Sequence, residues 1–295
     1  MLTYLQECGH TITVAVTLAE GDPSSGPIPH IFSRDVADVV QGADVLLTQH
    51  QATRAAMKAA RKLDLPLVVV EHNNVRTNVT LLRANRVITG LILNSQWLYR
   101  DWAMVRPDLP RHMVYPPVNP TDYAVPQPGP LVTQINLSKN GAMLWSLAKL
   151  LPETRFLAVK GGYGAQVIPK VIPDNVEVIE TTGDPVGKIY ARTRILLMPS
   201  LYEWESWGRV GMEAASSGIP VIANTLPGLQ ESLSYAGLFR DAERPVQWAE
   251  AITALSDPGI YAAYSKLACQ RVQEVWAETQ VQLEGLETFL VQQQR

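Results

Sequence analysis

Residues 201–239 read L-Y-E-W-E-S-W-G-R-V-G-M-E-A-A-S-S-G-I-P-V-I-A-N-T-L-P-G-L-Q-E-S-L-S-Y-A-G-L-F. One carboxylate, Glu205, sits on a short polar stretch, and a second, Glu213, follows on a segment with a helical pattern. Eight residues along an ideal helix leave about 80° between side chains, so periodicity alone does not make the two face one another. Two solvated glutamates on a surface helix would show the same spacing. Their neighbours favour a site. Gly208 lets backbone approach backbone or ligand closely. The start of a helix presents N–H groups that attract anions. S-G-I-P-V-I-A at 217–223 then returns the chain through a turn into a buried strand. Two acceptors around a helix start suit a ligand with hydroxyls at both ends and phosphate in the middle. A nucleotide-sugar has that shape.

Outward from this stretch, short apolar runs alternate with helical patterns. The runs at 11–18, 43–48, 66–71 and 87–94 read as strands, and A-T-R-A-A-M-K-A-A-R-K-L at 52–63 as an amphipathic helix with its basic face outward. Residues 21–29 form a Gly/Pro/Ser loop. The segment 115–130 holds six prolines and reads as an interdomain connector rather than an element. Beyond it the alternation restarts: strands at 131–136, 155–160, 176–179, 195–199 and 220–224, helices at 142–151, 187–192, 211–217, 246–255 and 261–293. Strand–helix–strand repetition implies parallel sheets covered on both faces. The fold class is α/β, two Rossmann-like halves joined by a proline-rich hinge.

The chain has 295 residues and a formal net charge of −3. The length gives room for two cores. The charge argues against a nucleic-acid binder, which carries a basic excess. Cys8 and Cys269 are too few for a disulfide framework, which fits a reducing, cytoplasmic setting. No charged leader with an apolar run opens the chain, and no apolar run is long enough to span a membrane. G-D-P-V-G-K at 183–188 is one residue short of a P-loop and lacks its Ser/Thr. G-x-S-x-G, H-E-x-x-H, C-x-x-C and D-x-D are absent.

These residues together resemble the retaining glycosyltransferases of family 4, with the GT-B architecture. P-S-L-Y-E-W-E-S-W-G-R-V-G-M-E-A, S-G-I-P-V-I-A and P-G-L-Q-E look like the family's E-x7-E signature with its flanks. C-G-H-T-I-T-V at 8–14, E-H-N at 71–73, L-N-S at 93–95, V-Y-P-P-V-N at 114–119, N-L-S-K-N-G at 136–141 and V-K-G-G-Y-G at 159–164 extend the resemblance. It implies that two Rossmann-like domains face each other across a cleft: 1–118 on the acceptor side, 119–275 binding the nucleotide-sugar, and a helix at 276–295 packing back toward the first.

By the same resemblance Glu213 holds ribose hydroxyls and Glu205 contacts the transferred sugar. The backbone of Ser206, Trp207, Gly208, Arg209 and Val210 meets sugar and diphosphate, and Lys139 neutralises the diphosphate. His72 lies near the sugar, and residues 177–180 lie near the base. Asn136 stands where the family places an arginine, and Arg209 is a candidate to supply that charge. Lys160, Gly161 and Gly162 follow a strand and could give backbone contact to phosphate, although G-x-G without a third glycine is a weak motif. By the resemblance the sequence starts within the family's first helix, and the expectation is an N-terminal domain without the usual first strand and its glycine-rich loop. A shortened start, a rearranged fold, or another chain in the gap would each account for that.

Bland readings stand beside these. Lys139 could be an exposed lysine in a turn, although ligands of open α/β sheets bind beyond the carboxyl ends of strands, and Lys139 follows one. His72 and His50 could be hydrogen-bonded structural histidines. Trp97 and Trp102 with Arg100, Arg106 and Arg111 read as core tryptophans with solvated arginines, against a membrane-surface patch.

The function implied is transfer of a sugar from a UDP- or GDP-sugar to a sugar, lipid or other hydroxyl acceptor. The anomeric configuration is kept, with no metal and no cofactor. Lysine and N–H groups would replace a cation at the leaving diphosphate. A catalytically weak nucleotide-sugar-binding subunit working with a partner chain is the alternative, and a GT-B epimerase a third reading. Peripheral membrane contact and a homo-oligomer are open.

Overall fold

A computed structural model describes residues 1–16, 28, 30–33, 35–49, 52–72, 86–201 and 205–294. Helices of the first half are α1 (Leu2–Glu7), α2 (Val36–Val39), α3 (Thr53–Leu63) and α4 (Gln96–Val105). Its strands are β1 (Val14–Val16), β2 (His30–Phe32), β3 (Leu46–Thr48), β4 (Leu67–Glu71), β5 (Ile88–Leu93) and β6 (Arg111–Met113). The second half runs α5 (Pro120–Tyr123), β7 (Leu131–Ile135), α6 (Gly141–Leu150), β8 (Phe156–Val159), β9 (Val176–Ile179), α7 (Pro185–Lys188) and β10 (Thr193–Met198). It continues through α8 (Arg209–Ala215), β11 (Val221–Ala223), α9 (Pro227–Leu233), β12 (Gly237–Phe239) and α10 (Pro245–Ala254) to α11 (Pro258–Val291). The chain divides into two compact units, one of Met1–Pro117 with Thr279–Arg295, the other of Val118–Glu278.

The first unit carries a parallel pair β1-β2 and a parallel sheet in the order β3-β4-β5-β6. Alternation along a strand sends successive side chains to opposite faces. Leu67 and Val69 of β4, with Leu91 and Leu93 of β5, join Ala56, Ala60, Leu98 and Trp102 in one core. Val68 and Ile92, one register away, join Leu5, Leu286 and Phe289 in another. Both faces are therefore covered, as the apolar runs require. Gly90 has no room for a side chain, since a Cβ there would lie 2.9 Å from the Phe289 ring.

The second unit is a six-stranded parallel sheet, β12-β11-β10-β7-β8-β9. Met143, Leu144 and Leu147 of α6 pack with Phe156, Ile195, Leu197, Ile222 and Trp248. Strand order reverses at β7: the next strand, β8, lies on one side of it and β10 on the other. In such a sheet the crevice opens where the order reverses, beyond the carboxyl ends of the two strands. Both units are α/β with Rossmann-like parallel sheets.

Some elements differ from the sequence reading. The strand expected over 11–18 is described only at Val14–Val16, with 17 and 18 outside the described residues, as is the 21–29 loop apart from Ile28. The connector 115–130 contains one helical turn, α5, started by Pro120 and capped by the Asn119 side chain on Thr121 N at 3.2 Å. The helix expected over 187–192 is two pieces, α7 and a 3-10 turn at Tyr190–Arg192. Arg106, expected in solvent, is buried and paired with Asp108 at 2.8 Å, while Trp102 is in the core. Among the described residues no helix is long and apolar enough to cross a membrane.

Candidate functional site

The turn after β7 builds the first half of the site. Asn136 takes a left-handed backbone, φ +63°, and Asn140 the same. Asparagine tolerates this better than most residues. The Asn136 side-chain oxygen accepts from Ser138 N at 3.2 Å and Ser138 Oγ at 2.7 Å. Lys139 N donates to Asn136 O at 2.9 Å, and the buried Gln134 amide donates to Lys139 O at 3.1 Å. Asn140 Nδ2 donates to Pro199 O at 3.1 Å, which ties this turn to the end of β10.

From β10 comes the second half. Lys139 Nζ meets Glu205 Oε2 at 2.5 Å, and Ser200 Oγ donates to the same oxygen at 3.2 Å. The Glu205 side chain is only 10% exposed and that of Lys139 31%, so the pair is well shielded. Burial pulls the Lys139 pKa down, but the Glu205 carboxylate and the Tyr163 phenol outweigh it and hold the ammonium above the ordinary lysine value. A shielded carboxylate without this cation would be costly.

α8 starts just beyond. Gly208 adopts φ +77°, and a Cβ there would collide with Leu229 and come within 2.9 Å of Met198. Gly228, near the start of α9, lets that helix lie on the backbone of Ser206. Ser206 and Trp207 are buried. Arg209 Nε pairs with Glu213 Oε1 at 2.9 Å, one turn along α8. The buried Tyr190 hydroxyl donates to Glu213 Oε2 at 2.5 Å. Burial, then the Glu213 charge, lifts the Tyr190 pKa well above the usual phenol value. Arg209 Nη2 also donates to Tyr123 OH at 2.7 Å, and the Tyr123 ring stands edge-on to Tyr190 at 6.2 Å.

The sequence candidates thus fall into groups. Lys139 and Glu205 come together. Arg209 and Glu213 form a second pair. Asn136 braces the lysine turn with its side chain. Lys160 pairs with Glu180 at 2.5 Å. Gly161 N donates to Gln166 Oε1 at 2.8 Å, while Gly162 is open, with nothing within 4 Å of a Cβ. Val210 lies in the first turn of α8. His72 directly follows β4 in the other unit, half-buried, its carbonyl accepting from Asn94 Nδ2 at 3.5 Å. His50 lies outside the described residues. Tyr190, Ser200, Tyr163 and Gln166 were not singled out from the sequence. A tyrosine just before an apolar strand reads as core, and nothing in K-I-Y-A-R marks its hydroxyl as a partner of a carboxylate 23 residues on. Ser200 stood in plain view within P-S-L-Y-E.

Among the described residues no three His, Cys, Asp or Glu side chains gather as a metal-binding group. The arrangement offers a shielded carboxylate to accept hydroxyl hydrogens, and an ammonium beside it to pair with an anion.

Comparison with known proteins follows the same geography. The sequence model of a family described as "Glycosyl transferases group 1" matches residues 144–257, a segment inside the second unit. A D-inositol 3-phosphate glycosyltransferase of Corynebacterium urealyticum is 35% identical over 99 residues, 32% of this chain and 23% of that protein. A sulfoquinovosyl transferase of Arabidopsis thaliana is 32% identical over 102 residues, 34% of this chain and 20% of that protein. The chain therefore covers less than a quarter of the length of either relative. Likeness of fold reaches much further. A glycosyltransferase structure from Rickettsia africae aligns with a TM-score of 0.73 at 13% identity, over 97% of this chain and 91% of that one. The Anabaena HepE structure in complex with UDP-glucose gives 0.72 at 18% identity, over 88% and 86%. A sucrose-phosphate synthase from Thermosynechococcus elongatus gives 0.69 at 17%, over 98% and 91%. The fold is that of GT-B glycosyltransferases.

Proposed function

We propose that the chain is a glycosyltransferase that moves a sugar from a nucleotide-diphosphate donor to an acceptor hydroxyl. The observation that carries this reading is the Lys139–Glu205 pair, 2.5 Å apart, where the order of the sheet reverses. Glu205 itself lies within the segment that matches the glycosyltransferase family. Related folds with UDP or UDP-glucose bound make a UDP-sugar the first donor to try.

On this reading Lys139 gives its positive charge to the departing diphosphate. The anomeric carbon–oxygen bond to phosphate breaks, and the acceptor oxygen bonds to the same carbon. The acceptor proton passes to the leaving phosphate oxygen. Glu205 accepts hydrogen bonds from sugar hydroxyls and fixes the ring. Glu213, held by Tyr190, accepts from the ribose. The Ser206–Val210 backbone, Lys160, Gly161 and Gly162 line the donor's path. By its resemblance to family 4 the reaction keeps the anomeric configuration. With no carboxylate placed as a nucleophile among the described residues, it does so by front-face displacement, the acceptor entering on the face from which the phosphate leaves. It uses no metal or cofactor, since Lys139 supplies the charge a cation would. The setting is cytoplasmic.

Donor turnover tests this. Lys139→Ala and Glu205→Ala should each lower kcat/KM by about 100-fold or more, the scale of losing a group aimed at developing charge. Wild-type rates in both would overturn the roles.

A second reading has its own observation. The family match is confined to the second unit. A binding subunit that keeps the nucleotide-sugar half and works with a partner chain would show the same pattern. Calorimetry with UDP and GDP beside a turnover assay separates the two, because binding without turnover over varied acceptors favours the subunit.

A further inference from the structure

Arg209 stands where a helix least favours it. It is the first residue of α8, and the start of a helix carries positive partial charge. It also precedes its carboxylate partner, Glu213, by one turn, the weaker order for such a pair along a helix. Its side chain is 54% exposed, and an exposed pair of that kind contributes little against the rotamer freedom an arginine gives up. Helix formation therefore does not explain the residue. A second anchor holds it: Arg209 Nη2 donates to Tyr123 OH at 2.7 Å.

Tyr123 is fixed in turn. It ends α5, and its carbonyl accepts from Ser217 Oγ at 2.7 Å. The Ser217 hydroxyl itself accepts from Val125 N at 3.0 Å. Ser217 lies just past the end of α8, so the backbone of Tyr123 is tied to one end of that helix while its hydroxyl meets the other. Its half-buried ring stands edge-on to Tyr190 at 6.2 Å.

These contacts converge on one carboxylate. Glu213 Oε1 meets Arg209 Nε at 2.9 Å, and Glu213 Oε2 accepts from the Tyr190 hydroxyl at 2.5 Å. A carboxylate has about four lone-pair sites, shared equally between its oxygens. One site on each oxygen is taken, and one on each is left. Two neighbouring hydroxyls of a ribose need that arrangement, an acceptor each at a fixed spacing.

We propose that Tyr123 is a positioning residue for the donor's ribose: it holds the Arg209 guanidinium on Glu213 Oε1, which fixes the carboxylate to accept from the 2′- and 3′-hydroxyls. Arg209 is then a brace, not the charge that meets the diphosphate. This rests on the reading of Glu213 as the ribose group.

The test uses the full chain with Tyr123→Phe, which keeps the ring and removes only the hydroxyl, with Arg209→Met, and with both. Each is checked for an unchanged unfolding midpoint. In the ligand-free protein, NMR follows solvent exchange of the Arg209 Nε–H, which Tyr123→Phe should speed. Calorimetry gives affinities for UDP, 2′-deoxy-UDP and pyrophosphate. The wild type should prefer UDP to its 2′-deoxy form by about 10-fold, the scale of one hydrogen bond to a charged group. Tyr123→Phe should cut that preference to about 3-fold and leave pyrophosphate affinity unchanged. The double variant should match Arg209→Met, because Tyr123 acts through the arginine. A Tyr123→Phe protein with wild-type exchange at Arg209, or with the full preference for UDP, overturns the role and leaves the ribose reading of Glu213 standing. Equal losses for UDP, 2′-deoxy-UDP and pyrophosphate overturn it too, since they would make Arg209 a diphosphate contact. A wild-type protein that binds neither nucleotide, or both alike, overturns the ribose reading itself and this role with it.

Discussion

Lys139 and Glu205 form a shielded ion pair, and at the scale of single residues the account rests on it. Each makes the other tolerable: the carboxylate is shielded because a cation meets it, and the ammonium keeps its proton despite burial because a carboxylate and a phenol face it. Since the folded pKa of Lys139 is raised, the pair's contribution to stability is complete below the ordinary lysine value of about 10.4. It is lost as pH climbs through the higher folded value. Glu205→Gln removes the larger of the two supports and leaves the burial. The Lys139 titration should therefore shift downward in that variant. The stability gap between wild type and variant should be flat through neutral pH and narrow above the ordinary lysine range. An unmoved titration would mean that Glu205 does not carry the charge. Both residues were legible as candidates in the sequence. Their contact was not, because a separation of 66 positions closes only through the parallel pairing of β7 with β10. Tyr190 shows the opposite case, a side chain hidden by its own burial inside an apolar context.

The reliable elements were those whose sequence signal matched their burial. β4, β5, β7, β8 and β10 lie inside sheets and read as apolar runs. β2, β6 and β12 escaped notice. Each is three residues long, and β6 is R-H-M with all three half-buried, too short for a period to show. α5 was masked by its prolines, although Pro120 stands where a helix accepts one. The start of α8 makes the sharpest prediction at this scale. Gly208→Ala forces a side chain into a left-handed backbone and against Leu229, at a cost of about 1–3 kcal/mol. Its unfolding midpoint should fall, and UDP affinity should fall with it. Gly183→Ala, with nothing within 4 Å of its Cβ, should leave the midpoint where it is. Equal midpoints in the two variants would show that the glycine at 208 is incidental.

Across the whole molecule, sequence and fold carry different reach. Family similarity covers 144–257, while structural likeness covers 97% of the chain at 13% identity. The physical reason for the wider reach of the fold is that an α/β scaffold needs only apolar strands and covering helices, which many sequences supply. In the first unit the described strands form two separate parallel sheets, β1-β2 and β3–β6. The second unit gathers Lys139, Glu205, Arg209 and Glu213 around the carboxyl ends of its central strands. The central claim is that this is where a diphosphate-linked sugar is gripped. A crystal structure of the protein soaked in UDP-glucose tests it most directly. The account predicts the diphosphate against Lys139, a sugar hydroxyl on Glu205 and the ribose on Glu213. Nucleotide density elsewhere, or an empty site at saturating ligand, would contradict it.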